Sequence, residues 1–225
     1  MSQKVLIAGA SRGIGLELAV QYAADGWDVI AACRDPDTAR KWLPRNANLQ
    51  KLDVTSASSV AALSYYMDDV PIDLLIVSAG AYGPDTQKFL APSDENFDAV
   101  MRTNVLGPMR LIQAFAPSVA KVGGKVVVLS SKMGSVSLAE QTTGLLYRVS
   151  KSAVNMVAKM AANEYGPQGA TVISLHPGWV RTSMGGPDAD LSVTESVEQM
   201  RKVIASVDSS NNGQFFDYTG RALSW

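Results

Sequence analysis

Short apolar runs alternate with amphipathic stretches from one end of the chain to the other, a pattern that calls for βαβ units and a parallel sheet. The strand candidates are Val5–Ala8, Val29–Ala32, Asn48–Leu52, Leu74–Ser78, Lys125–Leu129, Thr171–Leu175 and Gln214–Asp217. Most read as buried on both faces, as a helix-covered parallel sheet requires. Helix candidates lie between them at Gly13–Ala24, Pro36–Leu43, Ala57–Met67, Ser93–Ala120, Leu145–Tyr165 and Val193–Ser206, with Ser56, Ser93 and Ser192 as N-caps. No repeat or composition break divides the sequence, so residues 1–225 read as one α/β domain. With 47% hydrophobic and 18% charged residues, a chain of 225 residues can bury a sizeable core.

Charge and cysteine usage narrow the classes further. Lys plus Arg number 20 against 21 Asp plus Glu, which gives no polyanion-binding surface and no expectation of nucleic acid as a partner. No apolar run approaches the roughly 20 residues needed to span a bilayer. The single Cys33 has no partner for an intramolecular disulfide, and Met1-Ser2-Gln3-Lys4 leads straight into a strand, so the expectation is a cytoplasmic protein without membrane association. Cys33 also lacks a neighbouring His or second Cys, and the nine methionines read as core or pocket filling, so no metal site is expected.

The first strand runs directly into Gly9-Ala10-Ser11-Arg12-Gly13-Ile14-Gly15, which opens the first helix. Glycines strip Cβ atoms from the turn, and a helix N-terminus offers free N–H groups at the positive end of its dipole, so the segment suits a pyrophosphate. The spacing is G-x-x-x-G-x-G and not the G-x-G-x-x-G of the dinucleotide fingerprint; a tight structural turn is the competing reading. The second strand ends Ala32-Cys33-Arg34-Asp35. An acidic residue closing that strand would accept from a ribose 2′-hydroxyl, but Cys33 takes the place and the Arg34 guanidinium fork matches a 2′-phosphate. Arg12 can reach the same group, so NADP(H) is favoured over NAD(H). Asp35 argues the other way unless Asp35-Pro36 is a helix entry. Asp53-Val54, after the third strand, sits either near an adenine or at a helix start.

Tyr147 and Lys151 stand four residues apart, on one face of a helix, with Ser130 and Ser131 upstream. A free tyrosine, with a pKa of about 10, is a poor base at neutral pH. A neighbouring ammonium, helped by an oxidised nicotinamide, would move it toward the range of a general acid or base. Alone, the pair would be ordinary on a solvated helix face. The irregular stretch Thr182–Asp190, rich in Gly, Pro and Asp, is either a substrate lid beyond a strand's carboxyl end or a surface connection.

Taken together, the glycine turn, Asn104, Ser130-Ser131, Tyr147-x-x-x-Lys151 and Pro177-Gly178 resemble the short-chain dehydrogenase/reductase family over essentially the whole chain. Ser131-Lys132-Met133-Gly134-Ser135, Tyr147-Arg148-Val149-Ser150-Lys151 and His176-Pro177-Gly178-Trp179-Val180 look like its C-factor and Sniffer-type carbonyl reductase branch. The resemblance implies a Rossmann fold, a doubly wound, mostly parallel sheet of seven strands flanked by helices, with a substrate-loop region at 182–206. It implies an NADPH-dependent reduction of an aldehyde or ketone, reversible as an alcohol oxidation. Tyr147 would exchange the proton, Lys151 would bind the nicotinamide ribose, Asn104 would hold a water linking Lys151 to solvent, and Ser131 would donate to the substrate oxygen. Gly9, Ser11, Arg12, Gly13, Ile14, Gly15, Arg34, Asp53, Val54, Ser78, Ala79, Gly80, Pro177, Gly178, Val180 and Thr182 would complete the cofactor site, with Thr182 at the nicotinamide carboxamide. A homodimer or homotetramer is also implied. A signalling protein that binds NADP(H) with little turnover is the alternative.

Two positions depart from the family pattern. Val77-Ser78-Ala79-Gly80 stands where Asn-Asn-Ala-Gly is usual, so Ser78 is expected to alter the bonding of the central strands while cofactor binding is kept. Ser131 precedes Tyr147 by sixteen positions, about three more than is common, and Ser135 would satisfy the usual count. Ser131 is preferred because it directly follows the strand Lys125–Leu129, with the extra residues absorbed at Leu138–Gly144. His176, at a strand end before Pro177, reads as a structural hydrogen bonder, and Tyr82, Trp179 and Met184 as pocket lining or packing.

Overall fold

A computed structural model describes residues 2–225. Seven strands form one sheet: β1 (Lys4–Ala8), β2 (Asp28–Cys33), β3 (Asn48–Lys51), β4 (Leu74–Val77), β5 (Lys125–Leu129), β6 (Thr171–His176) and β7 (Phe215–Asp217). The spatial order is β3-β2-β1-β4-β5-β6-β7. Every neighbouring pair is parallel, so the sheet is wholly rather than mostly parallel. The order reverses between β1 and β4, the switch point at which open α/β sheets place their ligand crevice.

Because both faces are covered, alternate residues of one strand enter different cores. In β1, Leu6 and Ala8 join the cluster under α3 (Ala57–Tyr66), α5 (Gly107–Lys121) and α6 (Leu145–Tyr165). Val5 and Ile7 join the opposite cluster, under α1 (Gly13–Ala24), α2 (Pro36–Ala39) and α7 (Val193–Ser206). The remaining helix is α4 (Asp94–Met101). Ser56, Ser93 and Ser192 cap α3, α4 and α7 as their positions suggested, and Ser192 forms a full capping box with Glu195.

Two helices differ from expectation. Pro36–Leu43 closes only one turn, ending at Ala39. Leu43 precedes Pro44, and the residue before a proline is driven from the α region, so the chain leaves in turns. The single helix expected over Ser93–Ala120 is interrupted by a π turn at Arg102–Leu106, between α4 and α5. Pro108 has no N–H, so the α-helical bond to the carbonyl of Asn104 cannot form, and the turn widens at Asn104.

The use made of residues 218–225 has no counterpart among the sequence expectations. A turn after β7, fastened by Thr219 N–H and Oγ1 donating to Asp217 Oδ1 at 2.9 and 2.6 Å, sends the chain back along β7. Leu223 N–H donates to Phe215 O at 2.7 Å, and Trp225 stacks on Phe215 with ring centroids 5.4 Å apart. The Trp225 carbonyl accepts from Ser137 N–H at 3.0 Å and Ser137 Oγ at 2.5 Å, and that of Ser224 from Ser135 Oγ at 2.7 Å. These residues thus cover the edge strand and brace the loop that follows β5. Among the described residues no helix is long and apolar enough to cross a membrane.

Candidate active site

A cleft of about 590 Å³ opens at the carboxyl ends of β1, β4, β5 and β6. Of the residues singled out in the sequence, Gly9, Ser11 to Gly15, Arg34, Asp53, Val54, Ser78 to Gly80, Tyr147, Lys151, Pro177 and Thr182 line it. Gly178 and Val180 do not; Val180 is buried in a bridge to Leu191. Asn104 and Ser131 lie just behind the lining, both buried.

At the β1 end the cleft is shaped by close backbone approach. Gly9 has φ +100°, and a Cβ there would stand 2.7 Å from Ala79 N; a Cβ on Gly15 would overlap the carbonyl oxygen of Gly9. No side chain caps α1, so its first N–H groups remain available to an anion. Ser78 and Ala79 N–H both donate to Ala8 O at 2.9 Å, so main chain ties β4 to β1 at the position where the family pattern has Asn. The Asp35 carboxylate accepts from Thr38 N at 3.1 Å and Thr38 Oγ1 at 2.6 Å; it is the N-cap of α2, which resolves its role as helix entry. Asp53 accepts from Thr55 N at 2.9 Å and Oγ1 at 2.7 Å, and these bonds, with Arg34 nearby, hold its carboxyl below the usual range. Asp53 is therefore both a turn residue and part of the lining.

At the β5 end the cleft is made of side chains. Tyr147 and Lys151 share the inner face of α6, both buried, with Lys151 Nζ 5.6 Å from the Tyr147 ring centroid. Nζ donates to Leu129 O at 2.8 Å. The expected depression of the tyrosine by this ammonium does not prevail: burial pushes the Tyr147 phenol up to about 12, with Ser131 pulling it down and Tyr82 pushing it further up. Burial also brings Lys151 down to about 8. In a dry pocket, loss of hydration is the leading cause at both groups.

The two candidate serines part company. Ser131 lies two residues beyond β5, its Oγ accepts from Met133 N at 3.1 Å, and its hydroxyl is near enough to Tyr147 to favour the phenolate. Ser135 is engaged elsewhere, donating to Ser224 O and accepting from Leu138 N at 3.3 Å. Asn104, on the π turn, uses its side chain fully: Nδ2 donates to Ala81 O at 2.7 Å and Ser150 Oγ at 2.9 Å, while Oδ1 accepts from Ala81 N at 2.8 Å. Ser150 in turn donates to Tyr147 O at 2.8 Å. This link was present in the Tyr147–Lys151 segment but had no signature of its own.

The other side chains sort by location. Tyr82 and Met184 line the cleft; Trp179 instead lines a separate hollow of about 460 Å³ with His176, and its Nε1 donates to Gly185 O at 2.8 Å. His176 is driven down to about 4, chiefly by burial, with Asp217 opposing and Lys132 and Lys151 assisting. Its Nδ1 has no protein partner among the described residues, so the structural hydrogen bond expected of it is not made through that atom. Thr182 packs over Gly13 and accepts from Gly185 N at 3.0 Å, at the head of the irregular stretch expected as a loop.

The family model for short chain dehydrogenases matches residues 3–190. The chain belongs to the short-chain dehydrogenase/reductase family. It is therefore an oxidoreductase of that family, and its relatives agree with the branch suggested by the motifs. The C-signal of Myxococcus xanthus is 36% identical over 159 residues, covering 69% of this chain and 93% of that protein. The crystal structure of a carbonyl reductase from Pseudomonas aeruginosa PAO1 in complex with NADP superposes with a TM-score of 0.87 at 35% identity, over 100% of both chains. The carbonyl reductase Sniffer of D. melanogaster gives a TM-score of 0.89 at 26% identity, again over 100% of both.

Proposed function

We propose that this protein is an NADPH-dependent carbonyl reductase that converts an aldehyde or ketone to an alcohol, reversibly, with Tyr147 as general acid and base. The observation that carries the reading is the buried Tyr147 phenol at the β5 end of the cleft, with Ser131 beside it and Lys151 one helical turn on. A phenol whose pKa is near 12 is protonated at neutral pH, the form needed to give a proton to a carbonyl oxygen. The Ser131 hydroxyl would donate a hydrogen bond to the same oxygen, where negative charge develops. Lys151 would bind the nicotinamide ribose, and the main-chain carbonyl of Asn104, deprived of its α-helical partner by Pro108, is the group from which a water could connect Lys151 to solvent.

The residues at the other end fit a phosphorylated dinucleotide. Gly9 and Gly15 leave a cradle that a Cβ would fill, the start of α1 is uncapped, and Arg12 and Arg34 line the same cleft. Asp35, the residue that argued for a free ribose hydroxyl, spends its carboxylate on the α2 cap. The NADP complex of the Pseudomonas aeruginosa relative supports the same preference. When bound, NADPH supplies the hydride. Two-fold assembly through α6 is also part of the proposal, supported by Val149, Met156 and Met160, which form an exposed stripe on that helix.

The test is oxidation of NADPH and NADH by the purified protein across aldehydes, ketones, diketones and quinones, with Tyr147→Phe in parallel. The expected result is turnover with NADPH that falls at least about 100-fold in the variant while NADPH affinity is kept. Similarity to the C-signal keeps a second reading in view, an NADP(H)-binding signalling protein. NADPH binding without turnover of any carbonyl would favour it.

A further inference from the structure

Tyr82 has no role in the reading above, yet it is seated with care. Its ring packs on that of Tyr147, centroids 4.8 Å apart and planes inclined by 33°. The residue before it is fixed from both sides, since Asn104 accepts from Ala81 N–H and donates to Ala81 O. Its hydroxyl occupies a notch at the head of α6: a Cβ on Gly144 would come 2.7 Å from Tyr82 Oη and 3.3 Å from Cζ. Gly144 has φ +66° and ψ +37°, a left-handed conformation that suits glycine, and its N–H donates to Thr86 O at 2.9 Å. The loop carrying Tyr82 is thus fastened to the π turn at one end and to the α6 head at the other. Tyr147 lies on the first turn of α6.

We propose that Tyr82 is a positioning residue, whose ring holds the Tyr147 ring in the orientation that presents its phenol to the cleft. The inference rests on Tyr147 as the proton donor and extends the reductase reading to a residue outside the Asn104, Ser131, Tyr147 and Lys151 set. Small displacements of a reacting group are costly, so loss of the buttress acts on the chemical step and not on cofactor binding. The ring and not the hydroxyl does the holding, and the Gly144 notch exists to admit the hydroxyl.

Tyr82→Leu and Tyr82→Phe are compared for kcat, for KM of NADPH and for thermal midpoint. Tyr82→Leu is expected to lower kcat about tenfold with KM for NADPH within about twofold, and Tyr82→Phe to restore most of the rate. Gly144→Ala drives a Cβ into the notch and is expected to lower kcat similarly, with part of the loss recovered when it is combined with Tyr82→Phe. A second readout needs no substrate: in aromatic ¹³C–¹H spectra, the Tyr147 signals are expected to shift in Tyr82→Leu and to stay near the wild-type positions in Tyr82→Phe. Unchanged kcat together with unchanged Tyr147 signals in Tyr82→Leu would overturn the inference. So would an equal loss of rate in Tyr82→Phe. If the wild-type protein reduced no carbonyl, the reductase reading would fail, while the Tyr147 signals would still decide whether Tyr82 positions that ring.

Discussion

The two ends of the cleft are made of different material. Around β1 and β4 the walls are main chain: Gly9 against Ala79, Gly15 against the Gly9 carbonyl, and an uncapped helix start. Around β5 and α6 the wall and the layer behind it are side chains, each in contact with a second side chain or a main-chain group: Lys151 with Leu129, Tyr147 with Tyr82, Asn104 with Ala81 and Ser150. A site made of backbone tolerates changes in sequence but not an added atom. A site made of side chains tolerates neighbours of many kinds but not a removed atom.

That contrast can be broken most sharply at the serine. Ser131→Ala removes one donor and is expected to lower kcat about 100- to 1,000-fold in steady-state assays, while Ser135→Ala leaves it within about threefold because that hydroxyl faces Ser224. At the backbone end, Gly15→Ala adds one carbon that overlaps the Gly9 carbonyl. The start of α1 must move to relieve it, which displaces the N–H groups offered to the cofactor, and fluorescence titration should find NADPH binding weakened about 100-fold. Arg34→Leu, a side-chain change at the backbone end, sharpens the comparison. On the proposed reading, in which Arg34 meets the 2′-phosphate, NADPH affinity should fall about 10- to 30-fold with NADH affinity unchanged. The smallest effect is on stability. His176 titrates near 4 in the fold, below the ordinary 6.5. As pH falls, the unfolded chain takes up the proton first, so stability is whole above about 6.5 and is lost as pH drops toward 4. Unfolding free energies from urea titrations at pH 7.5 and 5 should differ by about 1–2 kcal/mol more in the wild type than in His176→Gln.

The contrast also explains what could be read from sequence. The alternation of apolar and amphipathic runs forecast all seven strands, though not their order in the sheet, because a strand covered on both faces must be apolar at nearly every position. The glycine turn and the Tyr147–Lys151 pair were legible because close backbone approach and a shared helix face are local in sequence. What escaped is what depends on distant partners. The fastening of Ser135 to Ser224 spans 89 positions, whereas the short-range bond of Asp35 to Thr38 was open to a local reading beside an equally reasonable ribose contact. The one-residue widening at Asn104 was foreshadowed only by Pro108, in a stretch whose pattern otherwise read as one unbroken helix. The opposed shifts of Tyr147 and Lys151 came from burial, which spacing alone does not report.

The brace on the serine loop sets an order of events during synthesis. Ser135 and Ser137 take their fastening from residues 89 and 88 positions further along. A ribosome adding about 5–20 residues per second needs several seconds to cover that distance. During that interval the first six strands can assemble, yet the loop beside Tyr147 has no Trp225 to close on. The nascent chain therefore acquires a place to hold a dinucleotide before it acquires a finished place to do chemistry.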